Sequence, residues 1–503
     1  MAIETEKPAA PATPLRRVGR DTVIYGSAIL LTKLASFVML PIYTRYLTPA
    51  DYGTLQLITT TLDVIEIFAG ARLVTGIFYF FHKVDTERDR RKVLSSTFAV
   101  LAASYLTAGA AAYAGASFLA RLVFGGAGDP TLLQIAAVSL ASNAMLVVPM
   151  AYLQVAGQSI RFVAVGLSRL VLQVTFNLFF LVVLHLGVKA VLLSTMITNL
   201  MVGAVLLAYF LGHVGLGMSG PATRALLRFG LPLVAVNVAT FISTFGDRYF
   251  LQAAADTTVV GIYSLAYQFG FLLAMVGYVP FNTVWEPTRF AIAKRPDRDD
   301  VYARGFVYFN VLLLSAAVVF ALFVATVLRI MAAPSYWSAA DLVPVILIAY
   351  VLQGWTEIHN LGIMMQERTE LLTWANWAAA LVAVVGYAWL IPRYLGMGAA
   401  VATVLAFGVR EVLVYVWSQR LWPVRYRWAP VLRLTTVALL VCVARTLVPE
   451  GGMLHSVAWS LGLLAVYGVG LLYAGVLSKD EREVVYGALR SPRTAFLRFV
   501  AGS

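Results

Sequence analysis

The stretch that sets the architecture reads Asp21-Thr-Val-Ile-Tyr25-Gly26-Ser-Ala-Ile-Leu-Leu-Thr-Lys33-Leu-Ala-Ser36-Phe37-Val-Met-Leu40-Pro41-Ile-Tyr-Thr44-Arg45-Tyr46-Leu47-Thr-Pro-Ala-Asp51-Tyr52-Gly53. From 22 to 46 it is apolar almost without interruption, longer than the ~20 residues that carry a helix across a ~30 Å hydrocarbon core at ~1.5 Å per residue. An Arg-Tyr pair closes the run, a short turn follows, and Gly53 opens a second apolar segment. Lys33 lies about eleven residues into the first run, near the depth of a bilayer midplane.

Such runs recur along the whole chain. They predict about 14 transmembrane helices: 22–46, 52–81, 93–117, 131–156, 162–184, 188–211, 229–252, 258–283, 305–330, 341–365, 370–391, 397–420, 430–447 and 454–478. The 503 residues are 60% hydrophobic and 13% charged, against about 45–50% and about 25% in a soluble domain, so a water-soluble fold is excluded. Helices are required because backbone polar groups in lipid must pair internally, and the alternating strands of a barrel are absent. A single cysteine, Cys442, excludes a disulfide framework, an iron–sulfur cluster and a Cys-based zinc site. Five histidines without paired spacing argue against a His-rich metal centre.

Charge sets the orientation. With the N-terminus cytoplasmic, 27 of the 38 Lys and Arg fall on inside segments, seven on outside ends, and four (Lys33, Arg72, Arg169, Arg410) within spans. That is the positive-inside pattern, and it predicts a multi-pass protein of the bacterial inner (cytoplasmic) membrane with both termini cytoplasmic. The net charge of +13 then needs no nucleic acid, because basic loops face anionic headgroups. Residues 1–20 read as a disordered cytoplasmic tail without a cleavable signal peptide. Residues 479–503 read as an amphipathic cytoplasmic tail lying on the inner leaflet. The longest connectors, about 82–92, 212–228 and 284–304, are all cytoplasmic, and none could hold a folded domain.

The opening stretch also repeats. Tyr25-Gly26 to Arg45-Tyr46 and Gly53 matches Phe229-Gly230 to Arg248-Tyr249 and Gly261, at an offset of about 204 residues with an insertion in the turn. Six spans separate the copies, so both have one orientation, a parallel repeat. The domains follow: an N-terminal six-helix bundle at 21–216, a C-terminal six-helix bundle at 217–425, and helices 13 and 14 at 426–478.

The block from Asp21 to Gly53 resembles the start of bacterial polysaccharide transporters, the lipid-linked oligosaccharide (O-antigen and exopolysaccharide) flippases of the multidrug/oligosaccharidyl-lipid/polysaccharide superfamily. The resemblance implies two helical bundles around a central cavity that alternates between inward- and outward-open states. Its implied cargo is a sugar chain on a polyprenyl (undecaprenyl) diphosphate. It also implies a cationic cavity, which makes Lys33, Arg72, Arg169 and Arg410 the candidate substrate-binding residues.

Ionisable groups within spans are costly. Lys33 could meet a diphosphate or pair with Asp63 or Glu66. Those two acids are three residues apart on one helical face and are candidates for coupling to a proton or sodium gradient or to membrane potential. Arg72 and Arg169 fit phosphate recognition or interfacial anchoring. Arg410 has Glu411 beside it, although adjacent helical residues do not face each other. Glu357, His359 and Asn360 form a further polar cluster; His359 could report pH or be a satisfied buried histidine. Arg45, with Asp247 and Arg248, could gate the outer rim, or the arginines could snorkel to the interface. Gly215-Leu-Gly217-Met-Ser-Gly220 matches G-x-G-x-x-G but lies in a linker with no strand ahead of it, and it reads as a flexible connector.

No bond need be made or broken, so the expected activity is transport, not catalysis, with no cofactor. Expected partners are the lipid-linked oligosaccharide, the bilayer and a polysaccharide polymerase or other assembly protein. Two alternatives stand beside this: a membrane polysaccharide polymerase or ligase, disfavoured by short outside loops, and a multidrug cation exporter of the same superfamily.

Overall fold

The computed structural model describes residues 39–70, 73–126, 128–449 and 451–476, and every regular element among them is helical. Two compact units divide at Val238 and Ala239.

In the first unit α1 (Leu40–Tyr46) ends at the extended Leu47, and α2 (Pro49–Phe68) restarts almost at once. The restart is encoded in Thr48-Pro-Ala-Asp51. The Asp51 N–H donates to the Thr48 hydroxyl, the Thr48 N–H donates to the Asp51 carboxylate at 3.0 Å, and Pro49 takes a position where no N–H is needed. Gly70, at φ +92°, lies at a 41° bend into α3 (Leu73–Lys83). Thr86 caps α4 (Glu87–Ala114), which α5 (Ala116–Phe124) follows, and Asp129 caps α6 (Pro130–Ser142). A 3-10 turn leads to α7 (Val147–Val155); α8 (Ser159–Leu178) runs on through a π turn to Val183, and α9 is Val188–Val214. Ile77, Leu94, Leu101, Tyr105, Val148 and Phe210 form the buried core. The divide falls within α10 (Gly220–Phe245).

The second unit contains α11 (Asp247–Ala254), α12 (Thr257–Leu273), a π turn into α13 (Val279–Ile292), and α14 (Arg298–Met331). Then come α15 (Ala339–His359), α16 (Leu361–Met365), α17 (Glu370–Leu421), α18 (Trp428–Thr446) and α19 (Met453–Tyr473). A straight 52-residue helix would reach about 78 Å, well beyond a hydrocarbon core of about 30 Å. Instead α17 breaks at Leu395 (φ 48°, ψ −126°), three residues after Pro392, and folds back so that the Tyr387 hydroxyl lies 3.3 Å from Thr403 Oγ1. Its two arms, 370–394 and 396–421, are the spans expected at 370–391 and 397–420.

Among the described residues eleven helices are long and apolar enough to cross a membrane, or twelve with the bent α2–α3 pair. The second arm of α17 makes thirteen of the fourteen expected spans; the other, 22–46, lies mostly outside the described residues. The protein is an all-α, polytopic membrane protein, as its apolar runs require.

The repeat is visible in the backbone. Spans start at 49, 87, 130, 159 and 188, and again at 257, 298, 339, 370 and 396, offsets of 208–211 residues. Gly157 (φ 65°) corresponds to Glu367 (φ 55°), and Gly187 (φ 56°, ψ −133°) to Leu395 (φ 48°, ψ −126°). Glycine takes these conformations without the Cβ penalty that Glu and Leu incur.

The connectors are shorter than charge alone suggested. Helices run through most of 82–92, 212–228 and 284–304, leaving only 84–86, 215–219 and 293–297 outside them. Charged residues can extend a helix into water when they pair along it, as Arg90–Glu87 and Lys92–Asp89 do at 3.0 and 2.9 Å. The glycine link was expected to be flexible. Within it, the Ser219 N–H donates to Ser96 Oγ at 2.9 Å. A helix, α9, leads into it.

Candidate functional site

Lys33 and Arg72 lie outside the described residues. Of the other expected residues, Arg45 and Asp63 are exposed, and the rest fall into polar groups, one in the first unit and the others in the second.

In the first unit Glu66 sits in the last turn of α2, just before the bend, and its Oε1 accepts the Tyr105 hydroxyl at 2.7 Å. Tyr105 is wholly buried on α4. Arg169, half-buried on α8, lies within electrostatic reach of Glu66. Asp63 is exposed. The two acids share a helical face but not an environment: Glu66 is held by Tyr105 and Arg169 at the bend. Asn177, further along α8, donates to the Tyr43 hydroxyl at 2.9 Å and ties α8 to α1.

Asp247 and Arg248 were expected at an outer rim. They are 0% and 2% exposed and bonded to each other at 2.8 Å. Tyr263 donates to the second Asp247 oxygen at 2.5 Å, and Arg248 donates to the Thr244 carbonyl at 3.1 Å. The guanidinium rests over Tyr267 and Phe245 at 4.7 and 4.9 Å, an arrangement that favours a cation. Snorkelling to water is therefore excluded for Arg248. Its repeat partner Arg45 is exposed, so matched sequence positions have unmatched surroundings.

Arg410, 5% exposed on the second arm of α17, donates to Gln353 Oε1, and Gln353 Nε2 donates to Glu357 at 3.0 Å. Its guanidinium lies 4.5 Å from the Phe407 ring. Glu411 meets other residues of the same helix, α15, accepting Thr356 Oγ1 at 3.0 Å and standing 2.5 Å from His359 Nδ1. Adjacent helical residues thus make their hydrogen bonds to different partners, and Glu357 joins Glu411 as a carboxylate within electrostatic reach of Arg410. Glu357, His359 and Asn360 make side-chain contacts with Gln353, Glu411 and Arg289 respectively, and Glu357 also lies within electrostatic reach of Arg289.

Arg289 is the functional candidate that sequence reasoning missed. It was assigned to a loop, yet α13 carries it inward, where it is 4% exposed and donates to Asn360 Oδ1 at 2.9 Å. Glu286 and Glu357 lie within its electrostatic reach. Tyr302 donates to the Arg289 carbonyl at 2.7 Å.

Arg169, Arg248, Arg289 and Arg410 thus each have an acid nearby. Among the described residues, then, neither cation expected within a span, Arg169 or Arg410, stands without an acid. Among the described residues no group of three or more His, Cys, Asp or Glu could hold a metal ion.

This is the architecture of a multi-pass membrane protein, with repeated series of spans and ion-paired polar groups among the described residues. The chain belongs to the polysaccharide biosynthesis protein family, whose pattern it matches over residues 18–293, just over half its length. No curated protein matches. Among solved structures it is similar to a lipid II flippase, MurJ, in an inward closed conformation: TM-score 0.72, 12% identity, 89% of this chain and 98% of that one. It is also similar to an inward-facing multidrug resistance MATE transporter of the MOP superfamily: TM-score 0.61, 17% identity, 77% and 94%. At such identities these likenesses establish the fold. The resemblance carried by residues 21–53 is borne out in family and fold.

Proposed function

We propose that the protein is a flippase. It moves a polyprenyl (undecaprenyl) diphosphate-linked oligosaccharide from the inner to the outer leaflet of the bacterial inner membrane, by alternating access, for O-antigen, capsule or exopolysaccharide assembly. The observation that carries this reading is a polysaccharide-biosynthesis family pattern on a fold shared with a lipid II flippase. The paired arginines add support. A buried guanidinium left alone is strongly disfavoured, but a diphosphate can replace Glu66 at Arg169, or Gln353 and Glu357 at Arg410, through equivalent charge-assisted hydrogen bonds. Lys33 and Arg72 would join them on sequence grounds. Both termini would be cytoplasmic, and polymerases or other assembly proteins would be natural partners.

The similarity to MATE transporters and the balanced charges favour multidrug export as a second reading. One experiment separates the two. In the flippase reading, a deletion strain loses surface polysaccharide, accumulates the lipid-linked oligosaccharide on the inner leaflet and keeps its drug susceptibility. Intact polysaccharide with raised susceptibility to cationic drugs would replace it with the exporter.

A further inference from the structure

The break between α15 and α16 encloses a titratable pair that the reading above leaves unused. His359, the last residue of α15, is 0% exposed, with Nδ1 2.5 Å from Glu411 Oε1. The other Glu411 oxygen accepts Thr356 Oγ1 at 3.0 Å. His359 Nε2 is buried with no hydrogen-bond partner. Around the imidazole stand Tyr426, Phe306, Tyr415 and Trp428, with ring centroids 4.8, 5.0, 5.0 and 5.4 Å away.

Two proton counts are open to this pair. With one proton on the imidazole and none on the carboxylate, the cage holds a net charge of −1. With one more proton it holds an imidazolium–carboxylate pair, or its neutral tautomer, with no net charge. Burial disfavours the net anion, while aromatic faces favour an imidazolium. The neighbouring elements supply few other charges. Arg410, on the Glu411 helix, turns toward Gln353 and Glu357 but remains within electrostatic reach of Glu411. From α14, Tyr302 gives its hydroxyl to the Arg289 carbonyl, and from α13 the Arg289 guanidinium is spent on Asn360. Tyr415 and Tyr426 complete the set.

We propose that His359 and Glu411 bind the proton that energises transport, an inference that rests on the transport reading. The loaded pair holds the broken end of α15 against the second arm of α17. Loss of the proton leaves a carboxylate that the cage cannot keep, so the two helices separate there. Glu66 is less suited to this role because it is already engaged by the Tyr105 hydroxyl and lies near Arg169.

The test has two arms, on the full chain in nanodiscs and in proteoliposomes. In the first, with histidines carbon-13 labelled, the His359 resonance is identified by its loss in His359→Gln. Its pH response should differ between the wild type and Glu411→Gln. In the second, a pH gradient should accelerate movement of a fluorescent undecaprenyl-diphosphate sugar by the wild type. His359→Gln and Glu411→Gln should each retain only the gradient-independent rate, whereas Asp63→Asn should still respond. A wild type that responds to the gradient, with both variants responding equally, overturns the proposal. A wild type that moves no lipid-linked sugar overturns the flippase reading instead, while the first arm still reports on the pair. If neither variant folds, a wild type that moves the lipid-linked sugar at the same rate with and without the pH gradient overturns the proposal on its own.

Discussion

Replacing Arg248 by Met should cost the second unit about 4 kcal/mol. The change leaves the Asp247 carboxylate at 0% exposure with Tyr263 and no counter-ion. Breaking a buried pair by removing one partner costs about 3–5 kcal/mol. Protonation of Asp247 limits the loss: at pH 7, neutralising a carboxyl of ordinary pKa costs about 4 kcal/mol. Loss of the guanidinium from over Tyr267 and Phe245 adds about 0.5–2 kcal/mol. At about 2–4 °C per kcal/mol, the midpoint of a thermal melt in detergent, followed by size-exclusion chromatography, should fall by about 10 °C. Asp247→Asn with Arg248→Met removes both charges and should recover about 2 kcal/mol, a coupling readable in a double-mutant cycle. The control is Arg45→Met, at the matched but exposed position, expected to change stability by less than about 0.5 kcal/mol. Equal effects at positions 45 and 248, or no coupling between 247 and 248, would refute the claim that burial separates these repeat-related arginines.

Other predictions follow from local geometry. Leu395→Gly should raise the melting temperature, because a left-handed leucine carries strain of about 1–3 kcal/mol, whereas Gly187→Leu at the matched link should lower it. In cysteine labelling of folded protein, Arg295→Cys should react and Arg289→Cys should stay protected, since Arg295 is exposed and Arg289 buried; equal labelling would return Arg289 to a loop. At the start of α6, the Asp129 carboxyl is held below its ordinary value by the Thr131 N–H at 2.9 Å and by Lys189 at 3.2 Å. Its folded pKa is lowered, so its contribution is complete above about pH 4 and fades as pH falls further. Asp129→Ala should cost about 1 kcal/mol at pH 7, and the gap to wild type should close under strongly acid conditions.

The order and approximate placement of thirteen of the fourteen expected spans were legible in the amino-acid order, because hydrocarbon thickness demands runs of a certain length and lipid permits few exceptions. Even the fold-back in α17 could be read, since Pro392 and the polar Arg393 interrupt two runs that are each long enough. The repeat was visible at Arg45 and Arg248, and the helix offsets extend it. Arg289 escaped because it stands at the end of an apolar run among other basic residues. Only Asn360, distant in sequence and adjacent in space, shows that it points inward.

What the order of residues determined was therefore one-dimensional: which segments are greasy enough to leave water and where charge stops them. The partners of the charges inside were decided by packing. Arg410 and Glu411 are neighbours in the chain, yet helical geometry sends one toward Glu357 and the other toward His359. Asp247 and Arg248 follow the end of an apolar helix just as Arg45 ends another, but tyrosines from other helices close over them. A buried charge is tolerable only where another group meets it at hydrogen-bond distance, and that meeting exists only once the helices have assembled.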